Sequence, residues 1–213
     1  MSTDIDICNL ALSHVGDSAL VTSITGADNS IQATQCARFY PIARDQVLER
    51  HPWRFSLKHS TLVAASVTLP DSWAYAYAMP DNCLMICNIL NEDTTYGTNY
   101  PLNPTGPQRV PFSVEMVGTT QVLFCNQSSV TLQYCEKVTD ATKYPASMVM
   151  AISLLLATFL AGPLIKGKTA LQMSQTLKQA FEVEFLKAAA LDAAFTRTES
   201  NRTNVGSSIL ARV

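Results

Sequence analysis

Between Lys143 and Lys166 the chain carries no charged residue, and this run constrains the fold more than any other stretch. A helix that is apolar all round must be buried on every side, in protein or in lipid. Ser147, Ser153, Thr158, Gly162 and Pro163 dilute its hydrophobicity, and no aromatic belt flanks it. An amphipathic helical pattern over 169–195 follows at once: Leu177, Phe181, Phe185, Ala188 and Leu191 trace an apolar stripe, Gln172, Gln175, Gln179 and Glu182 a polar one. The pair predicts a core helix and its cover, a hairpin interrupted at Gly162-Pro163. A membrane-embedded hairpin is the competing reading, and it predicts a protein that needs detergent.

Helical spacing also governs the amino-terminal part. Ile5, Cys8, Leu12 and Val15 recur over 4–15, with Thr3 and Asp4 as candidate caps and Gly16 as the stop. Ser30 can cap a second helix to about His51, with Ala33, Cys36, Tyr40, Ala43 and Val47 on one stripe. Pro41 lies inside it; a missing donor and a crowded preceding turn predict a kink near Tyr40 or a break into two shorter helices.

From 54 to 136 the period changes to two. Trp73, Tyr75, Tyr77 and Met79 alternate with Ala74, Ala76 and Ala78, which predicts a strand with one aromatic face. Further strands are expected over 61–69, 83–90, 111–117, 121–125 and 130–136, with tight connections at 118–120 and 126–129, together an antiparallel meander. The proline- and glycine-rich stretch 91–110 disfavours a ladder and reads as an exposed loop. The tail lacks periodicity but ends on Ile209, Leu210, Arg212 and Val213, an apolar tip that suits an arm ordered on a partner. The fold class is therefore α+β: a discontinuous α-helical bundle with an inserted small antiparallel β domain and an extended C-terminal arm. Its parts are 1–53 and 138–195 for the bundle, 54–137 for the β domain and 196–213 for the arm.

Only 15% of residues are charged against 47% hydrophobic, so part of the surface is expected to be covered by partners. A net charge of -2 gives no electrostatic footprint for duplex DNA or an anionic membrane, and neither sequence-specific nucleic-acid binding nor a membrane role is expected. The acidic start, Met-Ser-Thr-Asp-Ile-Asp, is unlike a secretory signal, so the cytosol is the expected place of synthesis and residence, and the six cysteines are expected as thiols. They form no Cys-x-x-Cys pair and no histidine lies at ligand spacing from them, so no metal is expected. Cys83 and Cys87 alternate with their neighbours around Met85 and read as small core residues.

One motif competes with a structural reading. Gly162-Pro-Leu-Ile-Lys-Gly-Lys-Thr169 matches a phosphate-binding loop. Such a loop needs a strand delivering the chain into it and parallel strands behind it. Here a Leu/Ala helical pattern precedes it, and one helical pattern and a polar tail follow. The match is read as a helix-to-helix turn, with Gly162 and Gly167 as C-cap and loop residues. His14, His51 and His59 stand in no nucleophile motif, and Glu92-Asp93 are adjacent on a loop where a glycosidase needs carboxylates facing each other across a bond. No catalytic residue and no cofactor are expected: the chain reads as a structural assembly subunit and not an enzyme.

Taken in order, Asn9-Leu-Ala-Leu-Ser-His-Val-Gly16, Tyr40-Pro-Ile-Ala-Arg-Asp45, His51-Pro-Trp-Arg-Phe55, Tyr75-Ala-Tyr-Ala-Met-Pro-Asp-Asn-Cys-Leu84, Leu132-Gln-Tyr134, Val138-Thr-Asp140 and the hairpin from Pro145 span nearly the whole chain. Their order and spacing resemble the head-to-tail adaptor, or tail tubular protein A, of short-tailed bacteriophages; the 91–110 loop and the tail depart from that pattern. The resemblance implies a virion protein of the tail and neck, assembled in the host cytoplasm. It would form a homo-oligomeric ring, a dodecamer, that docks under the portal protein, supports the tail nozzle protein and lets DNA pass through. The arm, with Arg202, Ile209, Leu210, Arg212 and Val213, is the candidate contact to portal or neighbour. Trp53 and Phe55, with Trp73, Tyr75 and Tyr77, are candidates for packing at the junction of the lobes. The alternative function is a virion-associated polysaccharide hydrolase using scattered carboxylates.

Overall fold

The structure is a computed structural model that describes residues 2–18, 20–90, 110–165 and 167–194. The chain divides into two compact units, a helical one from Met1–Ser56 with Lys137–Ala193 and a β unit that includes Leu57–Glu136. The fold is α+β: four helices and two small antiparallel sheets of three strands each among the described residues.

Helix α1 (Asp4–Val15) begins with a reciprocal capping box. Thr3 N–H donates to Asp6 Oδ2 at 2.8 Å, and Asp6 N–H donates to Thr3 Oγ1 at 3.1 Å, so two amide donors that the helix leaves free are satisfied by side chains. Gly16 ends it at φ +81°, a left-handed conformation that a side chain would strain. The loop that follows is tied back by Asn9, whose Oδ1 accepts from Val21 N–H at 2.8 Å and whose Nδ2 donates to Val21 C=O at 3.0 Å.

Helix α2 (Ile31–Glu49) starts at Ser30, whose hydroxyl accepts from Ala33 N–H at 3.1 Å. Its stripe Ala33, Cys36, Tyr40, Ala43 and Val47 is buried throughout. The helix runs through Pro41 without a break, so of the two outcomes expected there, a kink or a division into two shorter helices, the division does not occur. Pro41 and Ala37, whose carbonyl loses its helical donor, are both on the exposed side, where water can replace the missing bond.

Helix α3 (Ala146–Ile165) is the uncharged run, and it lies against both α1 and α2. From Met148 to Ala161 every residue except Met150, Thr158 and Phe159 is buried, so the surfaces that could have faced lipid face protein. Gly162-Pro163 does not interrupt it. The helix continues to Ile165, and Gly162 lies inside it instead of capping it. Gly167, at φ +74°, opens helix α4 (Gly167–Ala194). Ser174 Oγ donates to Thr158 C=O at 3.4 Å, a contact that ties the first half of α4 to α3.

A short 3-10 turn, Arg54–Ser56, leads from the helical unit to strand β1 (Leu57–Thr61). The remaining strands are β2 (Tyr75–Ala78), β3 (Cys83–Leu90), β4 (Phe112–Val117), β5 (Thr120–Cys125) and β6 (Thr131–Glu136). Five of the six stand within a few residues of the period-two segments. The first is displaced: the strand lies at Leu57–Thr61, and of the segment expected over 61–69 Thr61 ends the ladder opposite Thr131 while Ala64 makes an isolated bridge to Tyr77.

The strands do not form a meander. Their orders are β1-β6-β3 and β2-β5-β4, so only β4 and β5 are a hairpin of sequence neighbours. Splitting the strands into two sheets lets Tyr77, Leu123 and Cys125 of one sheet share a core with Ile89, Leu132 and Tyr134 of the other, which a single small sheet with one covered face would leave wet. A second, smaller cluster of Ala76, Val122 and Phe124 covers the opposite face of β2 and β5.

Candidate assembly surfaces

Trp53 is fully buried in the helical unit. The preceding His51-Pro52 ends α2, and the chain folds back so that the indole Nε1 donates to Val47 C=O at 3.0 Å, satisfying one of the carbonyls that the helix end leaves open. Its ring meets Phe185 edge-on, centroids 6.0 Å apart, and lies 6.3 Å from Phe55, which in turn approaches Tyr144 at 5.7 Å. The motif residues Trp53 and Phe55 thus pack among helical-unit side chains.

The aromatic strand is corrected in two ways. Trp73 precedes β2 and packs against the cluster of Ala76, Val122 and Phe124, not on the Tyr77 side, because the strand's alternation begins only at Tyr75. Tyr77 is 4% exposed and donates from its hydroxyl to Gln127 C=O at 2.7 Å, whereas Tyr75 on the same face is 41% exposed. The reason is register. Tyr77 stands opposite Leu123 in the middle of the shared core, while Tyr75 stands opposite Cys125 at the end of the ladder.

That exposed face continues across the sheet. Phe112 pairs with the same Cys125 as Tyr75, and Val114 and Met116 follow it at period two on the edge strand β4. All three are exposed, and Met116 is 61% exposed. Among the described residues no strand pairs with the outer side of β4, and an edge of this kind, carrying apolar side chains, is one that proteins ordinarily shield.

A second apolar surface belongs to α4. Leu177, Phe181, Phe185 and Ala188 of the expected stripe are buried, but Leu191 is 57% exposed. The inward position there is taken by Asp192, whose carboxylate accepts from Arg54 N–H at 3.2 Å and lies 3.1 Å from His51 Nε2. Because neighbouring residues on a helix diverge by a large angle, inward Asp192 turns Leu191 out. Leu171, Val183 and Leu186 are also exposed. Arg50 holds Glu182 with two bonds of 2.7 and 3.0 Å while its guanidinium covers the rings of Phe181 and Phe185 at 5.2 and 4.4 Å; the Arg50 guanidinium draws the Glu182 carboxyl below its usual range.

His14 and His51 are held in contacts with other side chains. His14 Nε2 lies 3.3 Å from Ser153 Oγ, but that hydroxyl donates to Met150 C=O at 2.8 Å and the serine is fully buried. Burial lowers the pKa of His14. His59 is exposed on β1, and Glu92 and Asp93 lie outside the described residues. Among the described residues no group of three or more His, Cys, Asp or Glu is placed to hold a metal ion. The residues of the phosphate-loop match straddle the junction of α3 and α4: a helix, not a strand, leads into it. The arm residues Arg202, Ile209, Leu210, Arg212 and Val213 lie outside the described residues.

The β4 face and the outer side of α4 were not legible as surfaces in the sequence. The alternation Phe112, Val114, Met116 was visible, but only the sheet order reveals that β4 is an edge. No protein-family model and no curated protein matches the chain.

Proposed function

We propose that this chain is a structural virion subunit of the head-to-tail adaptor type found in short-tailed bacteriophages. It forms a ring that joins the portal to the tail nozzle and leaves a lumen through which DNA passes. The observation that carries the reading is the distribution of apolar side chains. Buried ones are gathered into continuous cores, and of the large exposed ones among the described residues eight lie on β4 and α4, the other seven being scattered over loops and other elements. Uncovered apolar surface of this kind suits interfaces between subunits that are never apart in the working assembly.

The residues that carry the family resemblance support it from a second direction. Asn9, Gly16, Tyr40, His51 and Trp53 are fold-determining in the helical unit, as a cap, a loop tie or a core contact. The expected outcome in negative-stain microscopy of the purified protein mixed with portal rings is a second ring stacked beneath the portal. A persistent monomer that leaves portal rings unchanged would remove the reading. Deletion of residues 200–213 is expected to abolish co-sedimentation with portal rings; undiminished binding would take the arm out of the mechanism.

A further inference from the structure

Cys87 and Cys135 face each other across neighbouring strands of one sheet, their Sγ atoms 3.5 Å apart. The ladder explains why. Met85 stands opposite Cys135, Ile86 opposite Tyr134 and Asn88 opposite Gln133, so Cys87 is the extra residue of an irregularity in β3. In a regular ladder it would be only a diagonal neighbour of Cys135, at the outer limit of side-chain reach. The bulge twists the strand locally and brings the two sulfurs together. Both are free thiols; Cys87 is exposed and Cys135 is fully buried.

We propose that Cys87 and Cys135 form an oxidisable dithiol, a modification site that a low-molecular-weight disulfide of the glutathione class converts into a cross-strand disulfide clamping β3 to β6. The solvent-facing Cys87 loses its proton and attacks one sulfur of the reagent, forming a mixed disulfide and releasing one reagent thiolate. Cys135 then loses its proton and attacks the Cys87 sulfur, releasing the second reagent thiolate. The protein gives up two electrons and two protons, and the reagent disulfide is reduced to two thiols. Because the first attacker is exposed and the second already lies beside it, the mixed disulfide has a resolving partner at hand. Burial, reinforced by the contact with Cys135, pushes the Cys87 thiol up to about 12. The attack is therefore slow near neutral pH and quickens in base, by about tenfold per pH unit while the thiolate is the minor form.

The test treats the full chain with oxidised glutathione at neutral and at alkaline pH, followed by intact mass and peptide mapping. The expected result is a mass lower by two hydrogen atoms and a linked peptide joining Cys87 to Cys135, formed faster at the higher pH. Cys87→Ser and Cys135→Ser should lose the link, and Cys83→Ser should keep it. Glutathione remaining on Cys87 without resolution, all thiols surviving, or a bridge to Cys83 would each overturn the proposal. The wild-type peptide map decides the matter even if the variant at buried Cys135 fails to fold.

Discussion

At the scale of single residues, Trp53 is the most consequential side chain in the helical unit. It fills the core and caps Val47 at once. Trp53→Ala is expected to cost about 3–5 kcal/mol in a denaturant titration. Trp53→Phe keeps the aromatic packing and should lose about 1–2 kcal/mol through the abandoned carbonyl. Tyr40 is the opposite case. Its ring is buried and its hydroxyl is buried with no hydrogen-bond partner among the described residues. Tyr40→Phe should therefore leave stability unchanged or raise it by about 1 kcal/mol, and a clear loss would show that the hydroxyl has a role in the folded state. Asp28 provides a pH signature. It accepts from Thr22 N–H and Ser30 N–H at 3.0 and 2.9 Å, and these bonds hold its carboxyl down at about 2 from an ordinary 3.8. A depressed carboxyl stabilises the fold fully above its unfolded value and loses that contribution as pH falls through the folded one. Amide protection at Thr22 and Ser30, taken relative to the intrinsic exchange rate at each pH, is thus expected to be full above pH 3.8 and to fall as the pH drops towards about 2.

At the scale of elements, α3 and α4 separate what patterning can tell from what it cannot. The absence of charge between Lys143 and Lys166 was enough to mark α3 as buried on all sides, and Leu156 inside it is fully buried. Leu156→Ala is expected to destabilise by about 3–5 kcal/mol, whereas Leu186→Lys on the outer side of α4 should stay within about 0.5 kcal/mol of the parent as a monomer. Caps at Thr3, Ser30 and Gly16 were legible because each is a local rule about one helix end. The turn between α3 and α4 was misplaced because Gly162-Pro163 look like a stop, while burial along Leu160 and Ala161 and the cover of α4 carry the helix past them. Proline at 41 left two outcomes open for a related reason: its cost depends on whether the orphaned carbonyl meets water, which a one-dimensional pattern does not record. Strand segments were visible from period two, but their partners were not, since pairing β1 with β6 and β2 with β5 joins residues far apart in the chain. The cross-strand approach of Cys87 and Cys135 depends on a bulge and was equally invisible.

At the scale of the whole molecule, the apolar edge of β4 and the outer side of α4 make separable predictions. Met116→Lys and Leu186→Lys should each leave the thermal transition of the isolated chain in place and reduce ring formation in sedimentation experiments; loss of folding instead would mean that these side chains belong to an intramolecular core. The path of the chain has a different consequence. Helices α1 and α2 scarcely touch each other, and both lean on α3, which is encoded after the entire β unit. During synthesis the first helices must therefore wait, apolar stripes uncovered, until the ribosome has delivered about 115 more residues, through the end of α3. A nascent chain halted before Pro145 should be bound by holdase chaperones, and release should coincide with emergence of the uncharged helix that completes the bundle.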